Sequence, residues 1–183
     1  MIAPPSGAPF YITAATLDDA RAIAQIHVLS WQHAYLGILP DGLLASLSVA
    51  KRENLWREYI VSGSPEILII KSADEACGFI SFGATRDAEA PRDTAEIIAL
   101  YVAPHVWATG MGCRLWLAAL ERLKTQAYTA VSLWVLTDNA RAIRFYELAG
   151  FEVQPDSRKQ ITIGSATLDE IRYVRHIDDC AFS

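Results

Sequence analysis

Gly110 and Gly112 stand one residue apart in the run WATGMGCRL (107–115), after a β-like segment and before a helix-like one. Glycine is a poor residue with which to begin a helix unless the bare backbone is needed. The first helical turn carries N–H groups without intrahelical acceptors, and the macrodipole is positive there. Two glycines at that point predict an anion, commonly a phosphate, drawn onto main-chain amides. Close helix–strand packing with no ligand is the alternative. A nucleoside-triphosphate loop would close with Gly-Lys-Ser/Thr, where this chain has Gly112-Cys113-Arg114, and a dinucleotide fingerprint would place a third glycine at Leu115.

A second chemical pattern is NARAIRFYELAGF (139–151). Helical spacing sets Asn139, Ile143 and Tyr146 on one face. Asn139 can donate and accept hydrogen bonds, and Tyr146 offers a phenolic proton; the alternatives are a first-turn cap and a core aromatic. Glu96, at the start of an apolar strand, is either a carboxylate for proton abstraction or a solvated strand-start residue. His27, Trp31, His33 and Tyr35 crowd the last turns of the first helix, as pocket walls or as ordinary packing and surface.

Composition bounds the elements that must position these groups. The chain has 183 residues, 52% hydrophobic and 20% charged, with a formal net charge of -5. That describes one globular domain (1–183, core about 10–177) and argues against a general nucleic-acid binder, which needs clustered Lys and Arg. Cys77, Cys113 and Cys180 are widely spaced and form no CxxC pair, so neither a disulfide framework nor a metal site is expected. MIAPPSGAPF has neither a basic start nor an apolar run, and no apolar stretch reaches membrane-span length. A cytoplasmic protein, not bound to membranes, is expected.

FYITAAT reads as a first strand after a loose ten-residue lead-in. A helix then starts at TLDDA with Thr16 and Asp19 as a capping pair and ends at Gly37 and Pro40. A helical stretch over about 41–61, broken near 46–48, precedes EILIIKSA and CGFISFGATR, an antiparallel hairpin turned at 73–75. DAEAPRD is a polar loop, and AEIIALYVAP is a strand that stops at Pro104. A helix over about 110–126 presents Leu115, Ala119, Leu120 and Leu123. AVSLWVL is apolar enough to be a central strand covered on both faces. NARAIRFYELA is a helix stopped by Gly150, and residues 151–177 hold two strands around Gly164-Ser165. The order predicts an α/β fold with a mixed sheet, antiparallel early and late, with helical crossovers in the middle.

EIIALYVAP, TGMGCRL and NARAIRFYELAGF, in that order, resemble the GNAT superfamily of N-acetyltransferases, and IHVLSWQHAYLGILP is similar to a bacterial subgroup of it. The match covers about 94–151. It implies a mostly antiparallel central sheet with a splayed parallel pair and helices on both faces. It also implies acetyl-CoA as co-substrate, with no metal, and direct transfer to a primary amine of a small molecule or peptide. Leu100, Tyr101 and Val102 would pair their backbone with the pantetheine arm, with amides near Tyr101 holding the oxyanion. Ala108, Thr109, Gly110, Met111, Gly112, Cys113 and Arg114 would wrap the pyrophosphate. Asn139 would contact the pantetheine arm, Tyr146 would protonate the departing thiolate, and Glu96, six residues before Val102, matches the family's carboxylate base. His27, Trp31, His33 and Tyr35 would shape the amine pocket.

Three positions depart from the family pattern. Trp107 stands where Gln or Arg is common, Ala108 where Gly is common, and Cys113 where a basic residue is common; Arg114, Arg141 and Arg144 are the candidates to restore charge. Direct transfer needs no nucleophile, so Cys113 is incidental. A catalytically silent acyl-CoA-binding or regulatory domain is the alternative function, and a structural domain with an empty cleft is a third. A homodimer is compatible with the sequence, which does not identify the acceptor amine.

Overall fold

The computed structural model describes residues 9–88 and 90–177. Most of the expected lead-in, and Cys180, lie outside the described residues. The elements are β1 (Phe10–Ala14), α1 (Ala20–Ala34), α2 (Asp41–Ala45), α3 (Val49–Ser62), β2 (Glu66–Ser72), β3 (Glu75–Ala84), β4 (Thr94–Val102), α4 (Met111–Thr125), β5 (Ala130–Leu136), α5 (Ala140–Leu148), β6 (Glu152–Val153), β7 (Lys159–Ile163) and β8 (Ala166–His176). The pairs β1–β2, β2–β3, β5–β8, β6–β8 and β7–β8 are antiparallel, and β4–β5 is parallel. This is the mixed, mostly antiparallel α/β arrangement expected. The chain divides into two compact units, each built from separated stretches of sequence.

One unit runs through Phe82 and takes in Ala99–Ala119. Its hairpin β2–β3 turns on Ala73 and Asp74, both left-handed with φ 46° and 68°, the conformation that matches strand twist in a two-residue turn. The expected capping pair forms: Asp19 Oδ2 accepts from the Thr16 N–H at 2.8 Å and from its hydroxyl at 3.0 Å. Asp19 Oδ1 also meets Lys71 Nζ at 2.6 Å. The helix begins later than expected because Leu17–Asp19 is a 3-10 turn. α1 packs on α3 and buries Ile23, Ala24, Ile26 and Val28. The expected break after α2 is real, and Ser48 caps α3 by accepting from Lys51 N–H at 3.3 Å. Gly78 in β3 lets β4 come close: a Cβ there would lie 2.9 Å from the Tyr101 carbonyl oxygen.

The second unit comprises Gly83–Ile98 and the chain from Leu120 onward. β5 is buried at every residue but Trp134, as its apolar run predicts. It pairs along its whole length with β8, from Ala130↔His176 to Leu136↔Glu170. Parallel pairing with β4 covers Thr94↔Ala130 to Glu96↔Ser132. The strands expected around Gly164-Ser165 are β7 and β8, with Gly164 at φ 61°. β6 was not anticipated: two residues long, it carries no periodicity to read. Gly150, at φ 81°, ends α5 as expected.

Candidate active site

The glycine-bearing loop is open at the surface. Ala108, Thr109 and Gly110 are exposed, and nothing lies within 4 Å of where a Gly110 side chain would start. The first α4 amide with a carbonyl partner is Arg114, which donates to Gly110 O at 3.1 Å. The amides of Met111, Gly112 and Cys113 precede it and, by helix geometry, have no intrahelical acceptor. Met111 anchors the turn by burying its side chain, and Cys113 and Arg114 face solvent. Ala108 and Gly110 are both left-handed, at φ 62° and 84°. The glycine that the resemblance leads one to expect at position 108 thus has a backbone reason, and alanine there carries a left-handed cost of roughly 1–2 kcal/mol.

Trp107 is tied to the end of β4. Its indole N–H donates to the Val102 carbonyl at 2.6 Å, and its ring meets His33 edge-on at 6.3 Å. Ser30 Oγ donates to the same carbonyl at 3.1 Å. With both lone pairs engaged, Val102 can offer an incoming peptide-like arm only its N–H. His33 is therefore apart from the other aromatics of α1; its Nδ1 faces Leu29 O at 2.9 Å.

His27, Trp31, Tyr35 and Tyr101 do come together, in the unit that holds α1 and the end of β4. The His27 ring stacks on Tyr101 with centroids 4.9 Å apart. Trp31 Nε1 donates to the Tyr101 hydroxyl at 2.8 Å, and Tyr35 meets the Trp31 ring edge-on. His27 Nδ1 accepts from Trp56 Nε1 at 3.2 Å. Burial, with a smaller push from Arg52, lowers the His27 pKa to about 3, so the ring is neutral near pH 7. Burial also raises the Tyr101 phenol, against hydrogen bonds to Trp31 and Tyr35 and the charge of Arg52.

On α5, Asn139 is the N-cap: its Oδ1 accepts from Ala142 N–H at 3.1 Å. The cap alternative therefore describes its oxygen, while its NH2 group keeps its donors. Tyr146 is half-buried, edge-on between Phe145 at 5.2 Å and Phe151 at 5.7 Å. Arg144 is exposed and Arg141 lies beside it on the first turns of the same helix.

Glu96 is 3% exposed and ion-paired. Its Oε2 accepts from the Arg86 backbone N–H at 2.9 Å and from Nε at 3.1 Å, and its Oε1 accepts from Nη2 at 2.5 Å. It is not the solvated residue that a strand start suggests. Arg86 was missed because it reaches Glu96 across a loop, with no periodic signal. Arg52 and Trp56 were missed although their spacing of four on a helix was legible.

A model described as the acetyltransferase (GNAT) family matches residues 21–151. The chain is 30% identical over 144 residues to "Probable N-acetyltransferase Rv2775" of Mycobacterium tuberculosis, covering 78% of this chain and 79% of that protein. It is 27% identical over 169 residues to the uncharacterized N-acetyltransferase YuaI of Bacillus subtilis, covering 86% and 94%. Among solved structures, the PaiA N-acetyltransferase of Thermoplasma acidophilum in complex with coenzyme A superposes with a TM-score of 0.75 at 21% identity, over 92% of this chain and 99% of that one. That last likeness is one of fold; the family match takes in the α4 entrance, Glu96 and α5. The chain belongs to the acetyltransferase (GNAT) family, as an N-acetyltransferase.

Proposed function

We propose that this chain, as a single N-acetyltransferase domain, moves the acetyl group of acetyl-CoA directly to a primary amine, with no covalent enzyme intermediate. The observation that carries this is the α4 entrance, where three successive amides follow an exposed loop with open space at Gly110. A diphosphate fits such a donor set because amides and macrodipole act together. Acetyl-CoA supplies an activated thioester whose C–S bond breaks as the C–N bond forms.

The chain's own groups take the remaining tasks. Met111, Gly112 and Cys113 hold the diphosphate by their N–H groups, and the loop from Ala108 to Gly110 gives it access. The backbone of Leu100 and Tyr101, with the Val102 N–H, pairs with the pantetheine arm, and the Asn139 NH2 group donates to it. Tyr146 gives its phenolic proton to the departing thiolate. Three donors on the Glu96 carboxylate support a positioning role with Arg86 over proton abstraction. The attacking amine then enters neutral and sheds its second proton to water. The site lies in the cytoplasm, and a homodimer is compatible with it.

The test is thiol release from acetyl-CoA across a panel of primary amines, with coenzyme A titrated by calorimetry. Tyr146→Phe is expected to lower kcat about 100-fold, the scale of general acid catalysis, with the affinity for coenzyme A held within about twofold. Full activity in that variant would remove Tyr146 from the proton-donor role. Coenzyme A binding without thiol release for any amine would favour the silent acyl-CoA-binding domain.

A further inference from the structure

Arg52 is the charged group of an otherwise uncharged aromatic cluster. Its guanidinium carbon lies 5.3 Å from the centroid of the Trp31 ring, and its field reaches both His27 and Tyr101. No ion pair joins Arg52 to a carboxylate among the described residues. Its neighbour Glu53 is engaged elsewhere, by Arg21 at 3.5 Å and Arg57 at 3.2 Å. Arg52 is half-buried, and a guanidinium held over an indole keeps its planar fork of donors available; a carboxylate is the group that fork fits with two parallel hydrogen bonds.

A second observation comes from His27. Because Nδ1 accepts from Trp56, the neutral ring carries its proton on Nε2. That N–H is buried and has no hydrogen-bond partner, in a residue 6% exposed. A buried donor without an acceptor is costly and calls for one. The cluster thus holds one unmatched donor besides the Arg52 fork, and no carboxylate is paired with either among the described residues.

We infer that Arg52, held over Trp31 at the edge of the aromatic cluster, binds a carboxylate of the acceptor, so that the preferred acceptor is a small amine bearing a carboxylate, as in an amino acid. The inference rests on the acetyltransferase reading above and adds the substrate class. Trp31 and Tyr101 form the floor, locked to each other by the indole–phenol hydrogen bond. Arg52 is a specificity residue and takes no part in the chemistry of the thioester.

The experiment compares glycine, phenylalanine and glutamate with their α-carboxamides, using wild type, Arg52→Met and Arg52→Lys. Acceptor binding is measured by calorimetry with coenzyme A present, turnover by thiol release, and folding by thermal melts. Wild type is expected to prefer carboxylate over carboxamide at least tenfold in Kd and in kcat/KM. Arg52→Met is expected to bring that ratio to about one while the affinity for coenzyme A stays within twofold; Arg52→Lys retains part of the preference. A purely structural arginine would change the melting temperature and leave the ratio alone. Equal use of carboxamides by wild type, an unchanged ratio in Arg52→Met, or no binding of any carboxylate overturns the inference. Turnover of other amines without that preference sinks this inference alone. Absence of both thiol release and coenzyme A binding sinks the acetyltransferase reading itself.

Discussion

Arg86 closes on Glu96 through its own backbone N–H and two guanidinium nitrogens, so one residue supplies three donors to a single buried carboxylate. The Glu96 side chain is 4% exposed and that of Arg86 is 64% exposed. Breaking a fully buried pair costs about 3–5 kcal/mol, and the exposed partner reduces this to roughly 1–3 kcal/mol. Glu96→Gln is expected to fold with a melting temperature lower by several degrees, to keep kcat/KM within about threefold at high pH, and to keep the rise of rate with pH set by the amine. A drop of about 100-fold with loss of that rise would make Glu96 the base after all.

His27 ties stability to pH. Its pKa is about 3 in the fold and near 6.5 in the unfolded chain. Below pH 6.5 the unfolded chain takes up a proton that the folded ring refuses, so stability falls as pH drops toward 3. The slope approaches about 1.4 kcal/mol per pH unit. His27→Gln is expected to be less stable at pH 7 yet to lose less between pH 6.5 and 4.5. Thermal melts giving both proteins the same slope would show that the imidazole is protonated without penalty.

Ala108 holds a left-handed backbone at φ 62°. Glycine relieves that strain at a smaller entropic cost, so Ala108→Gly is expected to raise the melting temperature by roughly 2–4 °C, about 1 kcal/mol. Calorimetry with coenzyme A is expected to give unchanged affinity. A lower melting temperature would mean that the alanine methyl makes a contact worth more than the strain.

Gly78 leaves no room for a side chain between β3 and β4. In Gly78→Ala the new methyl would meet the Tyr101 carbonyl oxygen at 2.9 Å and side-chain atoms of Leu115 and Val102 at 3.2 Å. A backbone oxygen cannot swing aside, so the variant is expected to lose about 1–3 kcal/mol and to raise KM for acetyl-CoA as Leu100–Val102 shift. An unchanged denaturation midpoint and KM would show that β4 yields freely.

Several elements were legible because their signals are local. The Thr16–Asp19 pair, the Ala73–Asp74 turn, the apolar run of β5 and the stop at Gly150 each depend on residues within a few positions. So does the α4 entrance, since unpartnered amides follow from any helix start and Gly110 supplies the left-handed step. Asn139 could be placed at a helix start by spacing, and its cap bond to Ala142 is equally local.

What the amino-acid order by itself determined was the order of the longer elements, the family and the position of the bare amides, because periodicity, turn chemistry and capping act over neighbours. Only the tertiary structure decided the partners. It put Trp107 on Val102, Arg86 on Glu96 and Arg52 over Trp31. Those pairings depend on which side chains meet when distant segments pack, and burial then makes each donor or charge answer to a partner that no local spacing reveals.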